Sequence, residues 1–328
     1  MRKRKICMGV LFLAVLFCSR FQFIQAEEVR QVSLEEVLSI GNLDDNILFQ
    51  WAGVAVDSQN YIYVTDAMDY CLKKFDCQGK LQKKIGRKGQ GPGEFLAPRL
   101  LDCSRAYIYV TDQYVPGFQV FNKDLKFQHR IPLRMFINDF KVISDSEIAV
   151  AAITSDQICG ILVLNTKGEV IRKFHYSEKN SSLMMNWIDF DFDSRKNLYI
   201  AYNFQDKIAK FDPQGKKLWS HSLMKMKHVK KKKIGSFVVP CEIVYKDIAV
   251  DSTGKVYVLS GEFSKNPSRD VYVLDPEGKQ KAVLTLPEGS HCIYIDGSDF
   301  LYSRAGDGIT LKKYRIVDSE RQAESMNK

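Results

Sequence analysis

The chain has 328 residues, with 48 Lys+Arg against 39 Asp+Glu for a formal net charge of +9, and it is 45% hydrophobic, 12% aromatic and 27% charged. That apolar and aromatic content excludes disorder as the main state, and the length admits two or three small domains or one large all-β domain. The charge invites a nucleic-acid reading, which must first survive removal of any segment absent from the mature protein.

Arg2-Lys3-Arg4-Lys5 opens the chain, an apolar run from Ile6 to Phe17 follows, and Cys18-Ser19-Arg20 leads to Ala26 before Glu27-Glu28. A basic start, a short apolar stretch and a small residue before the cut are the three parts of a secretory signal. The run is shorter than the roughly 20 residues of a comfortable bilayer span. An uncleaved anchor is one alternative; a lipoprotein on Cys18 is another, and the bulky Phe17 opposes it. The expectation is an exported protein, periplasmic, extracellular or attached to the cell envelope. Residues 1–26 are then the signal, 27–317 the folded body and 318–328 a polar tail. The mature chain keeps 43 basic and 39 acidic residues, a net +4. Six cysteines remain (Cys71, Cys77, Cys103, Cys159, Cys241 and Cys292), with no CxxC and no zinc spacing among them.

From residue 53 a pattern repeats. GVAVDSQNYIYVTD at 53–66 is an alternating strand, a polar turn and a second strand, and LKKFDCQGKLQKKIG at 72–86 adds a third and a fourth around a Gly-containing turn. The first turn recurs with Asp57, Asp102, Asp145, Asp193, Asp251 and Asp296, at spacings of 45, 43, 48, 58 and 45 residues. The turn between third and fourth strands recurs as FDCQG, FNKDL, LNTKG, FDPQG and LDPEG. Periods of about 40–50 residues with four strands each predict a β-propeller, here an all-β ring of six four-stranded antiparallel blades. Residues 29–41 resemble the outer strand at 81–86 and are expected to complete the last blade, so that the N-terminal strand closes the ring.

Residues 53–95, ending RKGQGPGEF, resemble an NHL repeat, and the whole mature chain is similar to bacterial six-bladed propellers of the NHL and TolB-like type. The Asn-His that often precedes the third strand in that family is replaced by Asp69-Tyr70. The resemblance implies the fold and leaves function open, since such propellers serve as binding scaffolds, sensors, lyases and lactonases. Gly86, Gly89, Gly91 and Gly93 are followed by a strand rather than a helix, so they read as an interblade connection and not as a phosphate loop.

By analogy with the fold, the starts of the inner strands ring one mouth of the channel. Those positions hold Trp51, Arg99, Asp139, Trp187, Asp189, Tyr245, Asp247 and His291. Three carboxylates with aromatic faces suit a cation, a basic peptide or a sugar. The alternative is that each Asp accepts backbone N–H bonds and each aromatic packs between blades. No metal is assigned, although Asp139, Asp189 and Asp247 offer the hard oxygens that calcium prefers. His129, His175 and His221 fall late in outer strands, too far from the axis to share zinc. The chain lacks G-x-S-x-G and H-E-x-x-H.

Lys225, Lys227, Lys230, Lys231, Lys232 and Lys233 form one basic run in the insertion behind the 58-residue spacing. They read as a solvated loop or as a contact with anionic lipid or glycan. Without those six the mature body carries −2, so nucleic acid is not an expected partner. Cys77 and Cys103 lie in turns on one face of neighbouring blades, and a disulfide between them is geometrically feasible. The expectation is a monomeric, non-enzymatic binding or sensing module, with a calcium-dependent lactonase- or lyase-like enzyme as the alternative.

Overall fold

Strands that are buried on both faces and strands that face solvent alternate along the chain in a fixed order. The second strands Ile62–Asp66, Leu198–Tyr202 and Val256–Ser260 are buried at every position, whereas the outer strand Leu81–Ile85 is exposed along nearly its whole length. Blades stacked face to face produce this pattern, because each blade can bury its apolar side chains only against the next. The computed structural model describes residues 32–41, 48, 50–153, 159–175, 183–226, 229–235, 237–261 and 269–318. The signal at 1–26, the triplet Asn180-Ser181-Ser182 that matches a glycosylation sequon, and the tail after Asp318 lie outside them.

Six four-stranded antiparallel sheets form the ring. Their inner strands are Trp51–Val56, Pro98–Cys103, Phe136–Ser144, Ile188–Phe192, Tyr245–Val250 and Ser290–Ile295, which open blades 1 to 6 in that order. Blade 6 draws its outermost strand from the other end of the chain. Val32–Ile40 pairs antiparallel with Leu311–Asp318, from Val32 opposite Asp318 to Ile40 opposite Leu311. Gly41 makes this closure sterically feasible: its φ is +103° and a Cβ there would sit 2.1 Å from the Ile309 carbonyl oxygen.

The repeated turns have one mechanism. In blades 1, 4, 5 and 6, one carboxylate oxygen of Asp57, Asp193, Asp251 and Asp296 accepts the N–H groups two and four residues ahead. The other accepts the hydroxyl of Tyr63, Tyr199, Tyr257 or Tyr302. These buried tyrosines need a partner, and the turn aspartate supplies one in each of the four blades. Blades 2 and 3 depart from the expected register. Ser104 accepts the N–H groups of Ala106 and Tyr107, and Ser144 accepts that of Ser146. Asp102 therefore sits inside its strand rather than in the turn, while Asp145 reaches sideways to the Ala106 N–H at 3.1 Å.

The turns between third and fourth strands are held by Asp76, Asn122, Asn165, Asp212 and Asp275, whose side-chain oxygens accept the N–H four residues ahead. Each leans on the preceding blade. The one in blade 1 places Gly79, at φ +79°, within 3.0 Å (from an added Cβ) of Ile40 and Leu38 in blade 6. This corrects the disulfide expectation. Cys77 lies in a turn directed to blade 6, whereas the Cys103 thiol contacts the Val56 carbonyl of blade 1, 3.6 Å away, and both thiols are free.

Between blades 4 and 5 the insertion forms a two-stranded hairpin, Lys231–Ile234 with Phe237–Pro240. Lys231, Lys232 and Lys233 are exposed on it, and Lys230 pairs with Glu242 at 3.2 Å. Lys225 lies in the segment leading to it, and Lys227 falls outside the described residues. The single helical element among the described residues is the short 3-10 turn Leu183–Asn186, and no helix there is long and apolar enough to cross a membrane.

Candidate functional site

The inner strand of each blade has one partner strand and one open edge, which faces the channel. Its N–H groups on that edge need acceptors from elsewhere. Side chains two residues apart share a face, so Asp139 and Lys141 in blade 3, like Asp189 and Asp191 in blade 4, turn together toward the axis. The register defines two tiers. Near the mouth, Asp139, Asp189 and Asp247 lie opposite Ala151, Ala201 and Leu259 of their second strands. Deeper, Asp102, Lys141 and Asp191 lie opposite Tyr109, Ala149 and Tyr199.

Four of these carboxylates bond in the same way. One oxygen accepts the N–H of the next residue, at 2.8 Å in each case for Asp102, Asp139, Asp191 and Asp247. The second oxygen accepts an N–H of the following blade: Asp102 from Val142 at 2.6 Å, Asp139 from Phe190 at 3.0 Å, Asp191 from Val250 at 2.9 Å and Asp247 from Ile293 at 2.8 Å. The seam from blade 6 to blade 1 is bridged by the Val56 N–H donating to the Tyr294 hydroxyl, and that from blade 1 to blade 2 by the Thr65 hydroxyl donating to the Arg99 carbonyl at 2.6 Å. Every seam thus carries a bond between a side chain and the backbone.

Asp189 differs. The N–H beside it, on Phe190, goes to Asp139, and the Ile248 N–H across the seam goes to Asp247. Its bond is to the Asn203 amide, 2.5 Å away, which also donates to the Tyr245 carbonyl at 3.0 Å. Beside it, Trp187 stacks on Phe136 at 6.3 Å between centroids and 26° between planes, and meets Phe204 at 6.1 Å. Asp189 and Trp187, with Asp102, Asp139, Asp247 and Lys141, line a cavity of about 460 Å³ that Arg99, Lys246, His291 and Arg304 also border.

A protein family described as "6-bladed beta-propeller" (DUF5128) matches residues 19–212. The chain belongs to that family. None of the curated proteins matches it. Among solved structures, it is similar to a member of the DUF4221 family from Bacteroides vulgatus, at 14% identity and a TM-score of 0.62 over 89% of this chain and 100% of that one. It is also similar to a gluconolactonase from Xanthomonas campestris (11% identity, TM-score 0.55, 88% and 92% of the two chains). A streptogramin B lyase gives 11% identity and a TM-score of 0.54 over 87% and 98%. At these identities the likeness shows the fold.

Within this family member the residues expected at the mouth divide. Arg99, Asp139, Trp187, Asp189, Asp247 and His291 come together in the cavity. Tyr245 does not: its ring packs in the core between blades 4 and 5, and its hydroxyl donates to Asp206. Trp51 begins its strand as expected, but its side chain lies outside the described residues. Asp102, Lys141, Asp191 and Asn203 were missed by sequence reasoning; a period of two counted from Asp139 and Asp189 finds Lys141 and Asp191. Asp206 was also missed; it accepts the N–H groups of Leu223, Met224 and Met226 and so anchors the start of the insertion.

For Asp139 and Asp247, backbone N–H groups already occupy both carboxylate oxygens, and among the described residues no group of three His, Cys, Asp or Glu is placed to hold a metal ion. Burial pushes Asp139 up to about 6 and Asp247 up to about 7, and raises Asp102 as well. Asp189 is raised well above the carboxylate range by burial and by the charges of Asp139 and Asp247. Burial works against the charge of Lys141, but Asp191, Asp139, Asp102 and Asp247 around it raise its pKa and keep it protonated.

The raised carboxylates hold protons in the folded state that the unfolded chain has already released, so they reduce stability as pH rises through 6 to 7. Carboxylates held low elsewhere, such as Asp69 beside Lys73 and Lys84, act in the opposite sense below about pH 4. Denaturant unfolding across pH 4 to 8 is expected to show greatest stability near pH 4 and a decline through pH 6 to 7. A rise over that interval would contradict this assignment.

Proposed function

We propose that this propeller is an exported, non-enzymatic binding or sensing module whose channel mouth accepts a cationic group, as a basic peptide would present. The observation that carries the reading is Asp189, a half-buried carboxyl with no backbone N–H donor among the described residues, set between two other carboxylates and beside the Phe136–Trp187 stack. An incoming ammonium or guanidinium would displace the Asp189 proton, pair with the carboxylate and pack against the aromatic face. Asp139 and Asp247 would keep their seam bonds throughout.

The assignment to the NHL and TolB-like type belongs to the same proposal and rests on GVAVDSQNYIYVTD and RKGQGPGEF. Export rests on the basic and apolar composition of residues 1–26. A calcium-dependent lactonase-like enzyme draws support from the fold it shares with the gluconolactonase, but the trio of aspartates offers no open ligand set for the ion. The lysine hairpin, with Ile234 54% exposed at its end, is proposed as a peripheral contact for anionic lipid.

Calorimetric titration of the full chain with tri-lysine, against tri-glutamate, tests the mouth. The expected result is binding of tri-lysine alone, with proton release and an affinity that rises from pH 6 to pH 8. Asp189→Asn should weaken it roughly tenfold, as loss of a charge-assisted bond does. Equal binding of both peptides, or none of either, would sink the reading. For the hairpin, replacing Lys231, Lys232 and Lys233 by Gln should reduce co-sedimentation with phosphatidylserine vesicles several-fold; unchanged sedimentation removes that contact.

A further inference from the structure

A second cavity, of about 570 Å³, lies over the seam between blades 1 and 2 on the face of the channel mouth, sharing Arg99 and Arg304 with the first. Its lining contrasts with the channel: Lys88, Arg99 and Arg304 border it, and among the described residues no acidic side chain does. The three acids nearest in sequence are already engaged: Asp66 accepts the Gln50 N–H at 3.0 Å and pairs with Lys73 at 2.9 Å. Asp69 pairs with Lys73 at 2.9 Å and Lys84 at 2.8 Å. Asp112 accepts the N–H groups of Leu96, Ala97 and Tyr114.

Those same bonds fix the walls. Asp69 holds the turn that carries Tyr70, whose φ is +50°, and Asp112 holds the start of blade 2 and the turn that carries Tyr114. Tyr114 is 65% exposed over the cavity. Lys88 sits 5.5 Å from the Tyr70 ring centroid. Arg99 contributes its carbonyl to the seam bond with Thr65, and the residue lines both cavities. Gln50 and Gln113, which carry side-chain amides, complete the lining.

We propose that this cavity binds an acidic sugar, a uronate, independently of the channel mouth. A guanidinium matches a carboxylate bidentately, tyrosine rings give flat apolar faces to a sugar ring, and amide groups hydrogen-bond its hydroxyls in either sense. An aliphatic acid would use the cation but neither the rings nor the amides. A peptide carboxyl end would use the cation but leave the paired tyrosine faces without a ring to pack on.

Titration calorimetry of the full chain with glucuronate and galacturonate, beside glucose, galactose and tri-glycine, tests this. At least one uronate should bind roughly tenfold or more tightly than its neutral sugar, which corresponds to about 1.4 kcal/mol. Arg99→Ala should remove that preference while leaving the melting temperature unchanged, because the seam uses only the backbone of Arg99. Arg99→Lys should restore part of the affinity, and Asp189→Asn should leave uronate binding within twofold, so failure at the channel mouth is separable from failure here. Equal affinity for uronate and neutral sugar, tri-glycine binding tighter than either uronate, indifference to Arg99→Ala, or no heat with any sugar would each overturn the proposal.

Discussion

Each blade presents one open strand edge to the channel, and six such edges converge on a single axis. The N–H groups on those edges are too crowded for neighbouring inner strands to pair with one another, yet too buried to be left without partners. Carboxylates solve this, since each has two acceptor oxygens: one takes the N–H of its own strand and the other that of the following blade. Asp102, Asp139, Asp191 and Asp247 join four consecutive seams in this manner. Tyr294 and Thr65 serve the other two.

The acidity of the channel follows from that constraint before any ligand is considered. Four half-buried carboxylates repel one another, and Lys141 is a half-buried cation set among them, 3.9 Å from Asp191. Asp189 adds to the repulsion and, among the described residues, takes no backbone N–H. It is the group on which the proposed cation site rests. Carboxylate chemistry thus has two uses on adjacent residues, clamping at Asp139 and Asp191, and availability at Asp189.

Much of the architecture was legible in the sequence because its devices are local. An aspartate that binds N–H groups two and four residues ahead, and a tyrosine six residues ahead, leaves a signature that recurs around Asp57, Asp193, Asp251 and Asp296. The blade count survives even where the signature decays, as at Ser104 and Ser144. The closing strand at 32–40 was legible from its likeness to 81–86. The non-local features were not. Asp102 looked like a turn residue because a two-residue offset in register is invisible without the pairing. Tyr245 sits where the mouth aromatics were expected but turns to Asp206, a partner 39 residues away. Turns that lean on the preceding blade rather than the following one separate Cys77 from Cys103, and a period alone does not give that direction.

The division between clamping and available carboxylates is the centre of this account, and denaturant unfolding of three single variants at neutral pH tests it most directly. Asparagine keeps the shape but has one acceptor oxygen instead of two. Asp139→Asn and Asp191→Asn are predicted to lose about 1–3 kcal/mol each, the cost of leaving one buried N–H unsatisfied at a seam. Asp189→Asn, whose remaining oxygen still accepts the Asn203 amide, is predicted to be neutral or stabilising. A loss at Asp189 equal to that at the other two would show that all three carboxylates hold the ring alike, and would contradict the account.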